Sequence, residues 1–491
     1  MRRDEGLSAP LWMIVPGAVV LTWLLLNVSP YIDTAFQVEI SNESWGGFLG
    51  RIVADNQAPA AQFVFWLAGR LGFDGITDQR VVSLLLSSAA YVGAVKLGTL
   101  WAEDRDDRLG ELLSDRRVVA LATGVVIVAG GVMPVSSFVR YASFLGPVWL
   151  LAFLLTARAV MGEPRLAFWA GITLGLAGLI TYAVVIPAAC AFLVLLVYAR
   201  GAVRRFLTGL GLGLLPTAAW LAYAGADHLS RIVNRVDASD APTTLRSLVG
   251  RAYEVGAWVV VGPASLPSWS GLLLLAVMLG AYAVLTWFAV RHRRILLGVL
   301  VGFVVVPIPL LLLTVTASGW GMVGPAATAT FVAALGLASF PKRTVAAVVF
   351  VGAVLLVSAM PALDIDVLRP GVYSSEAEQA VALGHSRSDT LVVDNWTTEY
   401  LAEQDGAEAI YATELPSVSL PTEVVLVFGD PGESAAQTWQ AAAYDRLESL
   451  GYKRTEITMV GTYGDLALRE RLGLVSRPAQ YVVESYSQGK S

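Results

Sequence analysis

Long apolar runs alternate with short polar connections as far as residue 361. A helix that crosses a bilayer needs about 20 largely apolar residues. Runs approaching that length cover 11–28, 81–101, 118–133, 138–160, 166–183, 184–198, 207–224, 271–290, 295–314, 322–340 and 345–360. By this criterion the pattern predicts about eleven membrane helices, with 184–198 the shortest. Gly and Pro within several runs are no objection, since both are commoner in membrane helices than in soluble ones. Met1-Arg2-Arg3 before the first run resembles the start of a signal peptide, but no small-x-small cleavage pattern follows before Tyr31. An uncleaved first span is expected.

After Pro361 the pattern changes. Residues 390–394, 409–413, 423–428 and 453–460 read as strands, Gly429-Asp430-Pro431-Gly432 as a turn, and 435–450 as a helix ended by Gly451. The chain therefore divides into an α-helical polytopic membrane domain over 1–361 and a small α/β domain over 362–491. The second carries no Gly-x-Gly-x-x-Gly fingerprint and no nucleophile elbow, so an enzymatic activity of its own has little support.

Orientation follows from Lys and Arg. Arg2/Arg3, Arg105/Arg108/Arg116/Arg117, Arg158/Arg165, Arg200/Arg204/Arg205, Arg291/Arg293/Arg294 and Lys342/Arg343 fall on alternate connections. The positive-inside bias makes that side cytoplasmic. Loops 29–80 and 225–270 then lie outside, the N-terminus inside, and an odd number of spans places the C-terminus outside a plasma membrane. Lys96 is expected to snorkel to the interface. Trp12, Trp101, Trp149, Trp269 and Trp320 fall near predicted span ends, as an aromatic belt would.

Composition agrees. The 491 residues are 56% hydrophobic and 15% charged, against about 25% charged in soluble proteins. A net charge of -5 gives no basic footprint, which argues against nucleic acid as a partner. The single cysteine, Cys190, excludes an intrachain disulfide. His228, His292 and His385 are scattered, so a histidine-rich metal site has little support.

Candidate chemistry lies in the polar stretch after the first run. Asp33 follows that run by a few residues, and a carboxylate at the bilayer surface can take a proton from a hydroxyl while a lipid-borne group waits beside it. The plain alternative is a solvated loop. Further along come Asp55-Asn56-x-x-Pro59, an amphipathic segment over 62–73, Arg80-Val81-Val82-Ser83 ahead of the second span, and Ser136-Ser137-Phe138-Val139-Arg140-Tyr141 entering the fourth.

This order resembles the GT-C membrane glycosyltransferases, in particular the branch similar to protein O-mannosyltransferases and the lipid A aminoarabinose transferase. That branch usually carries Asp-Glu in the first outer loop, then an Asp-x-His-Pro-Pro-like segment, an Arg-Leu-Pro-Ser-like entry to the next span and a Ser-x-x-x-Arg-x-Tyr-like stretch. Here Thr34 replaces the second acid, Gln57-Ala58-Pro59 the His-Pro-Pro-like element, and Phe138 a frequent acid. Gly319-Trp320-Gly321-Met322 lacks the Arg-Tyr pair common near the tenth span.

The resemblance implies transfer of a hexosyl or pentosyl group, with inversion, from a polyprenyl-phosphate donor to a hydroxyl on a glycolipid, polysaccharide or protein. Asp33 would be the general base, because a hydroxyl is a poor nucleophile at neutral pH. Asp55 would be a second acid that orients the loop or the acceptor, with helix capping as its alternative. Arg140, with Tyr141, would bind the leaving phosphate. Arg80 has the same reading, and snorkelling is the alternative for both arginines. The sequence specifies no cofactor; Asp33, Glu39, Glu43 and Asp55 could together hold a divalent cation, though nothing in their spacing demands one, and a solvated face is the plain reading of Glu39 and Glu43. A transporter or flippase of lipid-linked sugars is the rival reading. Transporters favour ionisable residues at mid-bilayer and related halves, whereas here such residues gather at one face and no repeat is evident. A scaffold that kept the fold without the activity is the third.

Overall fold

The structure is a computed structural model. It describes residues 38, 40–54, 57–99, 118–119, 122–124, 126, 142–230, 280, 283–287, 294–307, 323–338, 372–394, 396–412, 415, 418–429, 434–460 and 481–488. These fall into two compact units, one ending at Ala338 and the other beginning at Val372 among the described residues.

The first unit is helical. Its described elements include α1 (Trp45–Ala54) and α2 (Pro59–Arg70). Pro59 opens α2, where a missing N–H costs no helical hydrogen bond. Helix α3 (Ile76–Thr99) follows, then α4 (Ala142–Val160), α5 (Leu166–Leu176), α6 (Val185–Tyr198) and α7 (Arg200–Ala224). Helices α8 (Arg294–Val304) and α9 (Val323–Ala338) complete it. Residues described within 118–126 and 280–287 are helical, as expected there; the spans expected over 11–28 and 345–360 lie outside the described residues.

Two helices among the described residues are long and apolar enough to cross a membrane, Asp78–Thr99 and Arg200–Ala224. Helix α3 has 24 residues and so a length of about 36 Å, against a hydrocarbon thickness of about 30 Å. Only 33% and 22% of their most apolar stretches is buried. Leu85, Val92 and Leu97 of α3 and Leu207, Leu212 and Leu215 of α7 point outward. A core helix of a water-soluble protein would bury such residues. Among the described residues, Phe144–Val160, Leu166–Leu179, Tyr182–Tyr198, Ile295–Val304 and Gly324–Gly336 are apolar but shorter.

Helices α5 and α7 cross backbone to backbone. Gly171 and Gly175 of α5 face Gly209 and Gly213 of α7, and a Cβ on any of the four would strike the other helix's backbone. Small residues four apart on each helix let the backbones touch, which supplies packing where no hydrophobic effect operates between helices. Thr217 closes the contact by donating its hydroxyl to Gly175 O at 3.2 Å.

Several expectations need correction. The run 166–183 is no single helix: α5 stops at Leu176, and two 3-10 turns, Ala177–Leu179 and Tyr182–Val184, lead into α6. Thr181, extended at φ -160° and accepting from Ala183 N–H at 3.3 Å, turns the chain there. Trp149 belongs to no interfacial belt; it is 1% exposed in the core and donates Nε1–H to Phe303 O at 3.2 Å. Arg158 is no loop charge either. It lies buried in the last turn of α4, pairs with Glu163 at 2.6 Å and donates to Gly98 O at 3.1 Å, locking α4 to α3.

The second unit has α10 (Val372–His385), β1 (Thr390–Val393), α11 (Trp396–Asp405), β2 (Glu408–Tyr411), β3 (Glu423–Gly429), α12 (Ser434–Ser449), β4 (Tyr452–Val460) and β5 (Tyr481–Gln488). The sheet order is β2-β1-β3-β5-β4. Strand β1 runs parallel to β2 and β3, and β5 runs antiparallel to β3 and β4. Period-2 alternation sorts the strand residues: Leu391, Val393, Val425 and Val427 join Val381 and Ala402 on one face, while Val392, Val424, Leu426 and Phe428 join Ala443 and Leu447 on the other. This gives three layers, with α10 and α11 on one side and α12 on the other. Glu484 is buried on β5; it accepts from Arg454 at 2.9 Å and from the Tyr486 hydroxyl at 3.0 Å. Burial, and then the Glu484 charge, push the Tyr486 and Tyr444 hydroxyls above their ordinary pKa.

Candidate functional site

The first polar loop folds back as a helical hairpin. Trp45 and Phe48 of α1 pack against Phe63 and Trp66 of α2, with ring centroids 5.2 to 6.1 Å apart. The Arg70 guanidinium lies 5.3 Å from the Trp66 ring centroid and donates to the carbonyls of Asn42 and Glu43. Trp66 Nε1–H also donates to Glu43 O, at 3.0 Å. The Glu43 side chain is exposed. Deeper in, Phe65 touches Phe144 of α4 at 6.1 Å.

Between α1 and α2 the chain reverses. The Gln57 N–H donates to Ile52 O at 3.0 Å, a six-residue closure of the kind that ends helices. Asp55 and Asn56 are the covalent link between Ala54 and Gln57 and lie outside the described residues.

A polar cluster from distant helices meets this reversal. Trp220, near the end of α7, donates Nε1–H to the Tyr182 hydroxyl at 3.0 Å. The same hydroxyl is 2.9 Å from His228 Nε2, and His228 Nδ1 is 3.0 Å from Val53 O. A carbonyl only accepts, so Nδ1 carries a proton and Nε2 accepts from Tyr182. The Tyr182 hydroxyl also lies 3.4 Å from Gln57 O. His228 is 0% exposed, with the rings of Tyr182 and Trp220 set edge-on at 6.1 and 6.2 Å. It lies within the loop expected over 225–270, where residues 226–230 are helical after Gly225 at φ 87°.

Of the residues expected at the site, Asp33, Asp55, Arg140 and Tyr141 lie outside the described residues, as does Glu39. Arg80 is described. It sits inside α3, rather than before the helix, and is 2% exposed. Its neighbour Gln79, 0% exposed, donates to Phe65 O at 3.1 Å and Phe73 O at 2.5 Å, which fixes the end of α2 to the start of α3. Arg80 thus enters at the same end of α3 that carries the hairpin. Among the described residues no group of three or more His, Cys, Asp or Glu side chains could hold a metal ion.

Sequence reasoning missed Tyr182, Trp220 and His228. Their bonds to the hairpin and to one another join residues 38 to 175 positions apart, and no spacing rule connects them.

In the second unit, Asp394 follows β1 at its C-terminal end, the end at which open α/β sheets usually bind ligands. It accepts from Gly429 N–H at 3.0 Å and Gln440 Nε2 at 2.7 Å. The carboxylate therefore ties β1, β3 and α12 together.

No protein-family model and no curated protein matches the chain. Solved structures do. ArnT from Cupriavidus metallidurans in the apo state aligns at a TM-score of 0.57 and 14% identity, over 96% of this chain and 97% of that one. The same protein bound to undecaprenyl phosphate aligns at 0.56 and 13%, over 97% and 98%. The chain shares the fold of ArnT. The match runs through both units, so the helical part and the terminal sheet occur in ArnT in the same order. An Archaeoglobus fulgidus oligosaccharyltransferase aligns at 0.49 and 13%, over 91% of this chain and 69% of that one.

Proposed function

We propose that this protein is an integral-membrane glycosyltransferase that moves a sugar from a polyprenyl-phosphate donor to a hydroxyl acceptor on the extracytoplasmic face. The observation that carries the reading is the likeness to ArnT over nearly all of both chains, one of those structures holding undecaprenyl phosphate. The apolar outward faces of α3 and α7 support the membrane setting. The order of Asp33, Asp55, Arg80 and Arg140 along the chain supports the chemistry.

In the proposed reaction the acceptor oxygen attacks the anomeric carbon from the side opposite the phosphate. The bond from that carbon to the phosphate oxygen breaks, and its electron pair leaves with polyprenyl phosphate. The hydroxyl proton passes to the Asp33 carboxylate, and the sugar inverts. Asp55 orients the loop or the acceptor. Arg140 offers a planar fork to the leaving phosphate, with Tyr141 beside it in sequence. Arg80 adds a second cation toward the donor.

The test is transfer of labelled sugar from a polyprenyl-phosphate donor in purified membranes, with expression matched. Asp33→Asn should lower turnover by about 10²- to 10⁴-fold, the worth of a general base. Asp55→Asn should act more mildly. Arg140→Ala should raise the donor KM, and Lys should restore only part of it, lacking the planar fork. Full turnover in Asp33→Asn would overturn the assignment of the base. A wild type that transfers from no donor would favour the scaffold or the transporter.

A further inference from the structure

We propose that Tyr182, His228 and Trp220 are positioning residues that hold Val53, two residues before Asp55, in register, an inference that rests on the glycosyltransferase reading of Asp55. Two carbonyls before Asp55 are pinned. Ile52 O receives Gln57 N–H at 3.0 Å. Val53 O receives His228 Nδ1–H at 3.0 Å, while the Tyr182 oxygen, 3.4 Å from Gln57 O, gives its hydrogen to His228. Asp55 is two residues beyond Val53 and two before Gln57.

The donors form a directed chain. Indole N–H can only donate, so Trp220 orients the Tyr182 oxygen; that oxygen carries one hydrogen, which the shorter 2.9 Å contact assigns to His228 Nε2. With Nε2 accepting, Nδ1 must be the protonated nitrogen, and that is the one facing the Val53 carbonyl. Each member therefore fixes the hydrogen of the next, so deleting the first should loosen the last. The three side chains come from the segment after α5 and from the end of α7 and beyond, the two helices that cross backbone to backbone. Val53 is thereby referenced to the backbone crossing of α5 and α7. A carboxylate whose work depends on its distance from a reacting group gains from such an anchor, because a misplacement of about 1 Å can cost about 10²-fold in rate.

His228 has two separable bonds. In His228→Asn the amide stands near the Nδ1 position and can still reach Val53 O; in His228→Gln it stands near Nε2 and can reach only Tyr182. His228→Ala loses both, and Tyr182→Phe removes the hydroxyl while keeping the ring. The experiment uses the full chain in bilayer nanodiscs with two readouts. Amide exchange of the 52–58 segment should quicken by about 10-fold or more in Tyr182→Phe and His228→Ala, with His228→Asn close to wild type and His228→Gln not. Sugar transfer should fall by about 10- to 10²-fold in kcat with donor KM unchanged, and should be rescued in the same order. Unchanged exchange in His228→Ala and Tyr182→Phe overturns the anchor. Faster exchange with wild-type kcat overturns its catalytic use. A wild type inactive with every donor overturns the transferase reading alone, since the exchange still reports on the anchor.

Discussion

Gly213→Ala and Gly211→Ala add the same methyl group to the same helix, two residues apart, and should change stability in opposite directions. At Gly213 a new Cβ would stand 2.5 Å from Ile172 O, 3.0 Å from Ile172 Cα and 3.1 Å from Gly175 Cα, where ordinary contact begins at 3.4 Å. All three are backbone atoms, so no side chain can turn aside. The helices must part by about 0.5–1 Å, a gap that forfeits about a quarter to a half of each pairwise attraction along the crossing. Overpacking of this kind costs about 1–3 kcal/mol, partly offset by about 1 kcal/mol from better helix propensity. At Gly211 nothing lies within 4 Å of the new Cβ, so only the propensity gain of about 0.5–1 kcal/mol remains. The two variants should differ by about 2 kcal/mol on this reasoning. Thermal midpoints of the detergent-solubilised chain, followed by monodispersity after heating, measure it. Separation of α5 from α7 also shifts Trp220 and His228 relative to Tyr182, so Gly213→Ala should quicken exchange at Gln57 while Gly211→Ala leaves it alone. If both variants shift the midpoint with the same sign and similar size, the backbone contact is not what holds these helices.

Two further outcomes are expected. A reporter that works only outside the cytoplasm should be active after Ser491 and silent within 105–117, and the reverse pattern would relocate every proposed site residue to the other face. The second concerns alkaline pH. The Tyr486 and Tyr444 pKa values are raised in the fold, by burial and then by Glu484, above the ordinary 10.0. Their contribution to stability is therefore fully present below pH 10 and is lost above it, as the unfolded chain ionises where the folded one resists. Amide protection across Tyr452–Val460 and Tyr481–Gln488 should hold between about pH 7 and 9 and fall above about 10. Tyr486→Phe should flatten that fall; an unaltered profile would assign it elsewhere.

The sequence by itself determined the class of this protein, because class depends on local quantities. Apolar run length and period fix which segments are helices: the runs read at 184–198 and 322–340 correspond to α6 and α9 within a residue or two. The strands at 390–394 and 423–428 are equally legible, their β-branched runs being buried on both faces. The order of acids and arginines carried the GT-C resemblance, and the fold bears it out over nearly the whole chain. Strand β5 and helices α10 and α11 were not read individually, since their residues are polar enough to pass for loop until the sheet supplies partners.

Tertiary structure decided what depends on distance in space. Trp149 and Arg158 look interfacial along the chain and are buried, because α3, α8 and Glu163 come to meet them. Glycines four apart are common in apolar helices; only the crossing of α5 and α7 shows which of them touch and which, like Gly211, face outward. His228 reads as a lone loop histidine until Val53, 175 residues earlier, lies 3.0 Å from its ring. A hydrogen bond is won or lost over a few tenths of an ångström, and no one-dimensional pattern encodes that coincidence between segments so far apart.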